Sequence, residues 1–361
     1  MLVNKNEEFI ERTFHILCSG YSYLYEKGKQ EGHWEDIRGT ALAGIALDLK
    51  EAPDSVWLRL IRNYLVRTQS QEGDVTGSWG EEVWDTSMCV LALKSFEVSS
   101  RDPLVKSSID WIASLYRVSE RNNWHDEPWE TCWALMAILT AGTIPSNLKI
   151  EEPVKWLLEF QEENGKIIAP HYTAYYLLIW DKLNKTTISS HDKIIFDEAK
   201  QKCANYLIEV LRDSPSHVLW TGEAWSNGQI LWALLSIDGI ALDDELLNKV
   251  LNWFETNQGK QGNWSDIEDT ASAIIGLYFL LEHVLSASTS LRNKDIKQTL
   301  QKRLPCPDVY IKRAFIEQNK ESGGISINLD GGTIKILAVL GAIGGSIATG
   351  VSLFDYFKKF F

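Results

Sequence analysis

Basic residues are scarce in this chain, which carries 36 Lys and Arg against 49 Asp and Glu among its 361 residues. The resulting net charge of -13 leaves no broad basic surface to neutralise phosphates, so nucleic acid is not an expected partner. The first twenty residues lack an apolar run and include several acids. We therefore do not expect a signal peptide.

Paired cysteines are lacking as well. The five cysteines are Cys18, Cys89, Cys132, Cys203 and Cys306. They are odd in number, far apart and without a CxxC pair, which favours reduced thiols in a cytosolic protein. The same spacing disfavours a disulfide framework and a zinc knuckle, so we expect no metal and no cofactor.

Tryptophan, in contrast, is abundant, with 15 residues, and most of them belong to a repeated unit. In its last copy, Trp253-Phe254 is followed by Gln258, by Gly262-Asn263-Trp264 and then by Thr270. The positions that hold the tryptophan of the unit in successive copies are Trp34, Trp79, Trp124, Ile167, Trp220 and Trp264. In the weaker fifth copy, Gly228 stands in the Thr place.

Each copy predicts two helices, an amphipathic one before the Gln and a more uniformly apolar one after the Trp. Helices that are apolar nearly all round are typical of a buried inner layer. Six such hairpins can close into an all-α (α/α)6 toroid, and closure removes the exposed ends of an open solenoid. We predict this toroid for residues 1–290.

The C-terminal part differs from the repeats. Residues 336–354 form an uncharged apolar run with flanking lysines, and a helix of this length at about 1.5 Å per residue spans a bilayer core. The predicted layout is a basic, Gly-containing linker at 291–333, a transmembrane helix at 334–354 and a short tail at 355–361. A buried C-terminal helix is the alternative interpretation.

Small residues recur along this predicted membrane helix. They are Ala338, Gly341, Ala342, Gly345, Ser346 and Gly350. Small residues on one stripe allow close helix approach in lipid, so the helix could self-associate and the protein could form a homo-oligomer. The expected location is a cytoplasmic toroid anchored by this helix to the inner membrane or another cytosol-facing membrane.

The repeated unit resembles the QW repeat of triterpene cyclases such as squalene-hopene cyclase. The stretches EEVWDTSMCVLALKSF and PWETCWALMAILTAG also resemble inner helices of those enzymes, and the likeness covers residues 20–285. The wider superfamily includes class II diterpene cyclases and the β subunits of protein prenyltransferases. The resemblance implies an α/α-toroid fold and an isoprenoid-like lipid as the ligand.

A second resemblance concerns the acid motif of class II cyclases, Asp-x-Asp-Asp-Thr-Ala, whose central Asp protonates an alkene or epoxide. This chain has DIEDTA at 266–271, which places Glu268 on the acid position, with Asp266 and Asp269 as the residues that would tune and orient it. A carboxylic acid crowded by carboxylates and shielded from water has a raised pKa and can hold a proton to donate. Glu in place of Asp departs from the family pattern and displaces the proton by one methylene.

Residues near the starts of the inner helices are candidates for contact with the substrate. Aromatic faces there could line an apolar cavity and stabilise cations. The candidates are Asp85, Glu130, Trp84, Trp129, Trp133, Tyr172 and Tyr175. The alternative is structural: the acids, those of DIEDTA included, would only cap helices, and the aromatic side chains would only fill the core.

Other functions are compatible with the same fold. A prenyltransferase-type zinc site would need an Asp, a Cys and a His, but Cys89, Cys132 and His171 lack the matching Asp-x-Cys pair. A carboxylate pair of the glycosidase type is conceivable around His125, Asp126 and Glu127.

The main alternative is a non-catalytic toroid that regulates the C-terminal membrane helix, as in a pore-forming or membrane-disrupting toxin or defence effector. A single toroid would also need a lid from a second copy, a membrane or a partner.

Overall fold

The computed structural model describes residues 2–304, apart from 29–31, 54, 118–122, 147, 185, 187, 216, 238–239, 241 and 289–292. The described residues belong to one compact unit, Met1–Cys306. The predicted membrane helix at 334–354, with its small residues, lies outside the described residues. Within the described part, no helix combines the length and the apolar character needed to cross a membrane.

The described part is almost entirely helical. Its helices are α1 (Leu2–Lys27), α2 (Ile37–Asp48), α3 (Val56–Thr68), α4 (Val83–Ser95), α5 (Pro103–Ser114), α6 (Pro128–Ala141), α7 (Glu151–Leu158), α8 (Pro170–Leu183), α9 (Ser190–Asp213), α10 (Ala224–Leu235), α11 (Asp244–Asn257), α12 (Ile267–Ser288) and α13 (Asn293–Arg303). Two short antiparallel strands, β1 (Tyr116–Arg117) and β2 (Asn123–Trp124), pair between α5 and α6. A single 3-10 turn occupies Gly73–Val75.

The even-numbered helices α2 to α12 form the inner layer and contact one another in chain order, and α12 then contacts α2. The inner layer is therefore a closed ring, as predicted from the count of six units. In α6 every residue from Thr131 to Leu139 is buried, which matches its apolar sequence. The outer helix α3 instead buries only Trp57, Leu58, Ile61 and Leu65, a stripe at helical spacing.

The glycine of the repeated unit is required by both conformation and space. Gly77, Gly165 and Gly262 have φ of 96°, 94° and 89°, a region that side chains rarely adopt. A Cβ at Gly262 would lie 2.2 Å from the carbonyl oxygen of Ser19 on α1. The turn of the last repeat thus packs directly on the first outer helix.

The tryptophan and threonine of the unit hold the same turn together. The backbone N–H of Trp79 donates to Thr86 Oγ1 at 3.0 Å, and the indole N–H of Trp79 donates to Leu65 O at 2.9 Å. The second bond ties the indole to the last turn of α3, where Leu65 O also accepts from the backbone N–H of Gln69 at 3.2 Å. The corresponding backbone bond recurs at Trp34, Trp124, Ile167 and Trp264.

The fifth copy departs from the predicted alignment. Asn227, and not Gly228, takes the threonine role, because its Oδ1 accepts from the N–H of Thr221 at 3.1 Å. Gly228 instead allows α10 to approach α12, and a Cβ there would lie 2.2 Å from the carbonyl oxygen of Ser272. Gly276 faces the same contact, with its Cβ position 2.6 Å from Gly228 O. The two inner helices therefore meet backbone to backbone.

The glutamine of the unit links neighbouring repeats. Gln69 Nε2 donates to Gly77 O at 3.1 Å and to Leu104 O on α5 at 3.0 Å. Gln258 Nε2 donates in the same way to Gly262 O and to Ile16 O on α1, both at 3.0 Å. The bond from Gln258 joins the last repeat to the first and helps close the ring.

We expect Trp79→Phe to lower the free energy of unfolding by about 1 kcal/mol more than Trp133→Phe. Both tryptophans have 0% exposed surface, so the two changes remove similar buried volume. Only Trp79 loses an indole hydrogen bond, since the described residues offer no partner to the Trp133 indole N–H. Urea unfolding followed by circular dichroism measures the difference. Equal losses for the two variants would show that the indole bond adds nothing.

The compact unit continues past the boundary at 290 that the sequence predicts. Helix α13 lies in the predicted linker and packs back on α1 and α2: Lys297 Nζ donates to Asp48 O at 2.6 Å, and Gln301 Nε2 donates to Lys50 O at 2.7 Å. Arg303 forms two bonds to the Glu11 carboxylate, at 2.8 and 2.7 Å. Lys297 and Gln301 thus satisfy carbonyls at and just beyond the C-terminal end of α2, at the mouth of the ring opposite the N-termini of the inner helices.

Candidate functional site

The N-termini of the six inner helices lie together at one mouth of the closed ring, and the second residue of each helix occupies an equivalent place. These residues form what we call the mouth ring: Arg38, Trp84, Trp129, His171, Trp225 and Glu268. One helical turn further, four residues on, equivalent positions form the second ring: Leu42, Met88, Trp133, Tyr175, Gln229 and Ser272. The predicted site residues fall in these rings or next to them.

Arg38 links the two sides of the mouth ring. Its guanidinium carbon lies 3.5 Å from the centre of the Trp84 ring, a cation–π contact. Its Nη2 lies 2.9 Å from Asp85 Oδ1, and its Nη1 lies 3.6 Å from Glu268 Oε1. One cation on α2 therefore connects an aromatic ring and a carboxylate on α4 with the candidate acid on α12.

Glu268 has the electrostatics expected of a proton donor at neutral pH. Burial raises the pKa of its carboxyl to about 7, and the acids Asp36, Asp266 and Asp85 add to the rise while Arg38 opposes it. The side chain is 27% exposed, so it is shielded yet accessible from the mouth. A carboxyl of this kind is partly protonated at pH 7.

The two aspartates beside Glu268 have structural duties. Asp266 Oδ1 accepts from the N–H of Asp269 at 2.9 Å and caps the start of α12. Asp269 Oδ1 accepts from the backbone N–H of Trp225 at 2.6 Å and so caps the neighbouring helix α10. Burial raises the pKa of Asp269 to about 6, against the hydrogen bond from Trp225. Of the three predicted catalytic acids, Glu268 is the one whose carboxylate caps no helix in the bonds that we observe.

The structural alternative predicted that Asp85 and Glu130 cap the starts of their helices, but neither residue precedes its helix. Both lie inside the first turn, since α4 begins at Val83 and α6 begins at Pro128. Asp85 pairs with Arg38, and burial raises the pKa of its carboxyl against that cation. Glu130 Oε2 lies 2.6 Å from His125 Nδ1. Both acids therefore stand at the mouth with partners other than the helix N-terminus.

The predicted aromatic candidates form one cluster with Trp129 at its centre. The Trp129 ring contacts Trp84 on α4 with centroids 4.5 Å apart, Tyr175 on α8 at 5.4 Å and Trp225 on α10 at 6.3 Å. It also contacts Trp133, His171 and Tyr172. Because α4 and α10 are not neighbours in the ring, a side chain that touches both lies across the mouth.

A buried polar chain crosses the second ring. Tyr175 Oη donates to Gln229 Oε1 at 2.5 Å, and Gln229 Nε2 lies 3.5 Å from Ser272 Oγ. These residues are at most 3% exposed, and they lie on three successive inner helices. The Trp133 ring packs against Tyr175 with centroids 4.9 Å apart. The second ring is thus aromatic on one side and polar on the other.

No group of His, Cys, Asp and Glu within the described ranges has the arrangement of a metal site. The described cysteines are free thiols, and burial raises the pKa of both the Cys132 and the Cys89 thiol well above its usual value. Burial lowers the pKa of His171, so its imidazole is neutral at pH 7. Cys306 lies outside the described residues.

Sequence reasoning missed Arg38, Trp225 and Gln229 as parts of the site. The repeat itself could have identified them. Arg38 and Trp225 are the second residues of their inner helices, as Trp129 is in α6, and Gln229 is the sixth residue of α10, as Trp133 is in α6. Counting from the helix start in each copy would have brought all twelve ring positions together.

We expect stability to depend on pH through Glu268. Between pH 4.5 and 7 the folded state holds a proton on Glu268 that the unfolded chain releases, so lowering the pH from 8 to 5 should raise the free energy of unfolding. The contribution is about 2 kcal/mol after allowance for the partial exposure of the side chain. In Glu268→Gln this part of the dependence should vanish. What remains comes from the other shifted groups: burial raises the pKa of Asp85 and, to about 6, those of Asp48 and Asp269, while the lowered pKa of His171 acts in the opposite direction. Urea unfolding at pH 5 and 8 tests this, and identical pH dependence in both proteins would contradict it.

Comparison with known proteins agrees with this geometry. Residues 31–177 match the family model of the squalene-hopene cyclase C-terminal domain. The described fold resembles solved structures of the type II terpene cyclase MstE from Scytonema, with a TM-score of 0.57 and 13% identity over 76% of this chain and 99% of that one. The predicted resemblance to the terpenoid cyclase and prenyltransferase superfamily is confirmed. The terpenoid-cyclase-like chain also resembles a crystal structure of a protein from Actinoplanes, with a TM-score of 0.56 and 14% identity.

Two relatives are similar to this chain in sequence over part of their length. Squalene–hopene cyclase of Bradyrhizobium diazoefficiens is 30% identical over 128 residues, and a probable squalene–hopene cyclase of Sinorhizobium fredii is 27% identical over 128 residues. These matches cover 31% of the terpenoid-cyclase-like chain but only 19% and 20% of the relatives. The family match ends at residue 177, so it does not include Glu268.

Three of the MstE structures hold ligands. One contains its product, merosterolic acid A, and two contain its substrate, geranylgeranyl dihydroxybenzoate. One of the structures with substrate has a TM-score of 0.55 and 12% identity to the terpenoid-cyclase-like chain. At this identity the likeness establishes the fold that the two proteins share.

Proposed function

We propose that this toroid binds a polyisoprenoid at the mouth ring and cyclises it by proton transfer from Glu268. The observation that carries the proposal is the Glu268 carboxyl, which burial and three neighbouring acids give a pKa of about 7. It lies at a mouth that also presents seven aromatic or imidazole rings in mutual contact. An acid that is protonated at neutral pH beside cation-stabilising π faces suits initiation of a carbocation reaction.

The surrounding residues support separate roles for the three acids. Asp266 and Asp269 cap α12 and α10, which fixes the start of α12 and hence the backbone of Glu268. Arg38, which pairs with Asp85, also lies 3.6 Å from Glu268 Oε1 and so connects the two carboxyl groups. In this proposal Glu268 donates the proton, Asp266 and Asp269 position it, and the rings of the mouth contact the substrate.

The test is to incubate the purified chain with neutral polyprenyl substrates of ten to thirty carbons in heavy water. A protonation-initiated cyclase forms an isomer with fewer double bonds and takes up one deuterium at the protonated carbon. Gas chromatography with mass spectrometry detects both changes. Recovery of unaltered substrates across all chain lengths would defeat the proposal.

We further propose that residues 334–354 anchor the toroid to a cytosol-facing membrane, where an isoprenoid substrate would be dissolved. The uncharged run from Ile336 to Phe354 with lysines on both sides supports this location. Truncation before Ile336 should move the protein from the membrane fraction to the soluble fraction. Unchanged fractionation of the truncated chain would exclude the anchor.

The same anchor would serve the alternative function, in which a non-catalytic toroid restrains a self-associating membrane helix. The packing of the aromatic rings against one another across the mouth favours this alternative, since a filled mouth needs no ligand. This alternative predicts that the whole chain and Glu268→Gln both permeabilise cells, whereas the chain truncated before Ile336 does not. It also predicts that neither full-length protein forms a cyclised product.

A further inference from the structure

The rings contain hydrogen-bond donors that the protein leaves unused. The indole N–H groups of Trp84 and Trp133 are buried without a partner among the described residues. The hydroxyls of Ser87 and Ser226, on α4 and α10, share this condition. A buried indole N–H ordinarily has an acceptor, and leaving it without one costs about 1–3 kcal/mol.

Tryptophans elsewhere in the same fold make the contrast clear. The indole N–H groups of five repeat tryptophans donate to backbone carbonyls at 2.7–2.9 Å. These residues are Trp34, Trp79, Trp124, Trp220 and Trp264. The two unpartnered indoles belong to Trp84 and Trp133. These residues lie on the inner helices α4 and α6, and their rings contact each other with centroids 6.2 Å apart.

The polar side of the second ring also has donors to spare. Gln229 uses its carbonyl oxygen to accept from Tyr175, while its amide group has only the long contact of 3.5 Å to Ser272. Gln229 and Trp133 stand on either side of Tyr175 in the second ring. An indole N–H that faces the π surface of an aromatic side chain gains only part of the energy of a hydrogen bond. Both Trp133 and Gln229 can therefore donate to an oxygen acceptor of a ligand.

The charges at the mouth exclude one class of isoprenoid head group. Among the second and third residues of the six inner helices, four are acids, namely Asp85, Glu130, Glu268 and Asp269, and Arg38 is the sole Lys or Arg. Its guanidinium already contacts Asp85 and Glu268. A diphosphate or carboxylate head would therefore meet acids, of which Asp85 and Glu130 pair with Arg38 and His125, and lose its hydration without a free cation at these positions in return.

We infer that the rings select a neutral isoprenoid lipid whose head carries an oxygen acceptor, held by the indole N–H of Trp133 and the amide of Gln229. This inference rests on the proposed function for the isoprenoid nature of the ligand. The Trp129 ring contacts Trp133 and rings on α4, α8 and α10, so a ligand that enters the second ring from the mouth has to displace it.

Binding of four lipids with one C20 chain tests the inference: geranylgeraniol, its methyl ether, the hydrocarbon without oxygen, and geranylgeranyl diphosphate. Isothermal titration of the whole chain should give a Kd for the alcohol and the ether about tenfold below that of the hydrocarbon, as one good hydrogen bond provides. The diphosphate should bind at least tenfold more weakly than the alcohol. The methyl ether is the decisive ligand, because its oxygen can accept a hydrogen bond but cannot donate one. Tight binding of the ether therefore indicates that the protein supplies the donor.

Trp133→Phe should reduce the preference for oxygen to less than threefold while changing hydrocarbon binding little. The control is Trp79→Phe, which changes a fully buried tryptophan that belongs to neither the mouth ring nor the second ring. It should leave the preference for the oxygen-containing lipids unchanged. Equal affinity for alcohol and hydrocarbon, tightest binding of the diphosphate, or an equal loss for all lipids in Trp133→Phe would overturn the inference. A preference for oxygen without any cyclised product would instead refute only the role of Glu268, and product formation without the preference would refute only the selection of the head group.

Discussion

Replacing Glu268 with glutamine should reduce the formation of cyclised product by about 100-fold or more, the usual share of a positioned general acid. Glutamine keeps the length and polarity of the side chain but cannot donate a proton to an alkene. Burial raises the pKa of the Glu268 carboxyl to about 7, so the wild-type rate should also fall as the pH rises through 7. Initial rates by gas chromatography between pH 5 and 9 measure both effects.

Two further variants make this result specific. Glu268→Asp restores the residue that the class II motif has at this position, and we expect it to keep far more activity than glutamine. Glu162→Gln changes an exposed acid that pairs with Lys166 and belongs to neither ring, and it should leave the rate unchanged. Product formation by Glu268→Gln at the wild-type rate would remove this residue from the mechanism.

Gly228→Ala should destabilise the fold by about 3 kcal/mol, even though alanine normally favours a helix over glycine by up to about 1 kcal/mol. The added Cβ would lie 2.2 Å from the carbonyl oxygen of Ser272 and 2.4 Å from its carbonyl carbon. Because these atoms belong to the backbone of α12, the two inner helices must separate. Urea unfolding and thermal melting give the change.

Gly222→Ala is the matched control for that substitution. No atom lies within 4 Å of the Cβ position at Gly222, so the stability should change by less than about 0.5 kcal/mol. If Gly228→Ala is as stable as this control, the close approach of α10 and α12 is not a constraint. Separation of the helices should also lengthen the contact from Gln229 to Ser272 and thereby alter the second ring.

The repeat made the fold predictable, because Gly262, Trp264 and Gln258 each perform a task that recurs from copy to copy. Their bonds are local or reach the next outer helix, and such contacts leave a periodic pattern in the sequence. The threonine of the unit, such as Thr86, lies inside the first turn of its inner helix and accepts from the backbone N–H of Trp79.

The candidate site was predicted less completely, because its contacts join repeats that differ. Glu268 was identified through the acid motif, but its neighbour Arg38 lies 230 positions earlier in an unremarkable stretch, IRGT. No local pattern shows that α12 would contact α2, and only the closed ring brings these two side chains within 3.6 Å. Asp269 was predicted to tune Glu268 and was found to cap α10, again through a contact between helices.

The bond from Gln258 to Ile16 spans 242 positions of the chain, which has a consequence for synthesis on the ribosome. At about 5–20 residues per second, the α1 helix emerges about 12–50 s before its partner on the last repeat. During that interval the apolar side of α1, including Phe14, Leu17 and Leu24, which are buried in the finished fold, has no last repeat to pack against. The nascent chain is therefore a substrate for chaperones that bind exposed apolar helices, and the ring becomes complete only after the sixth hairpin has left the exit tunnel.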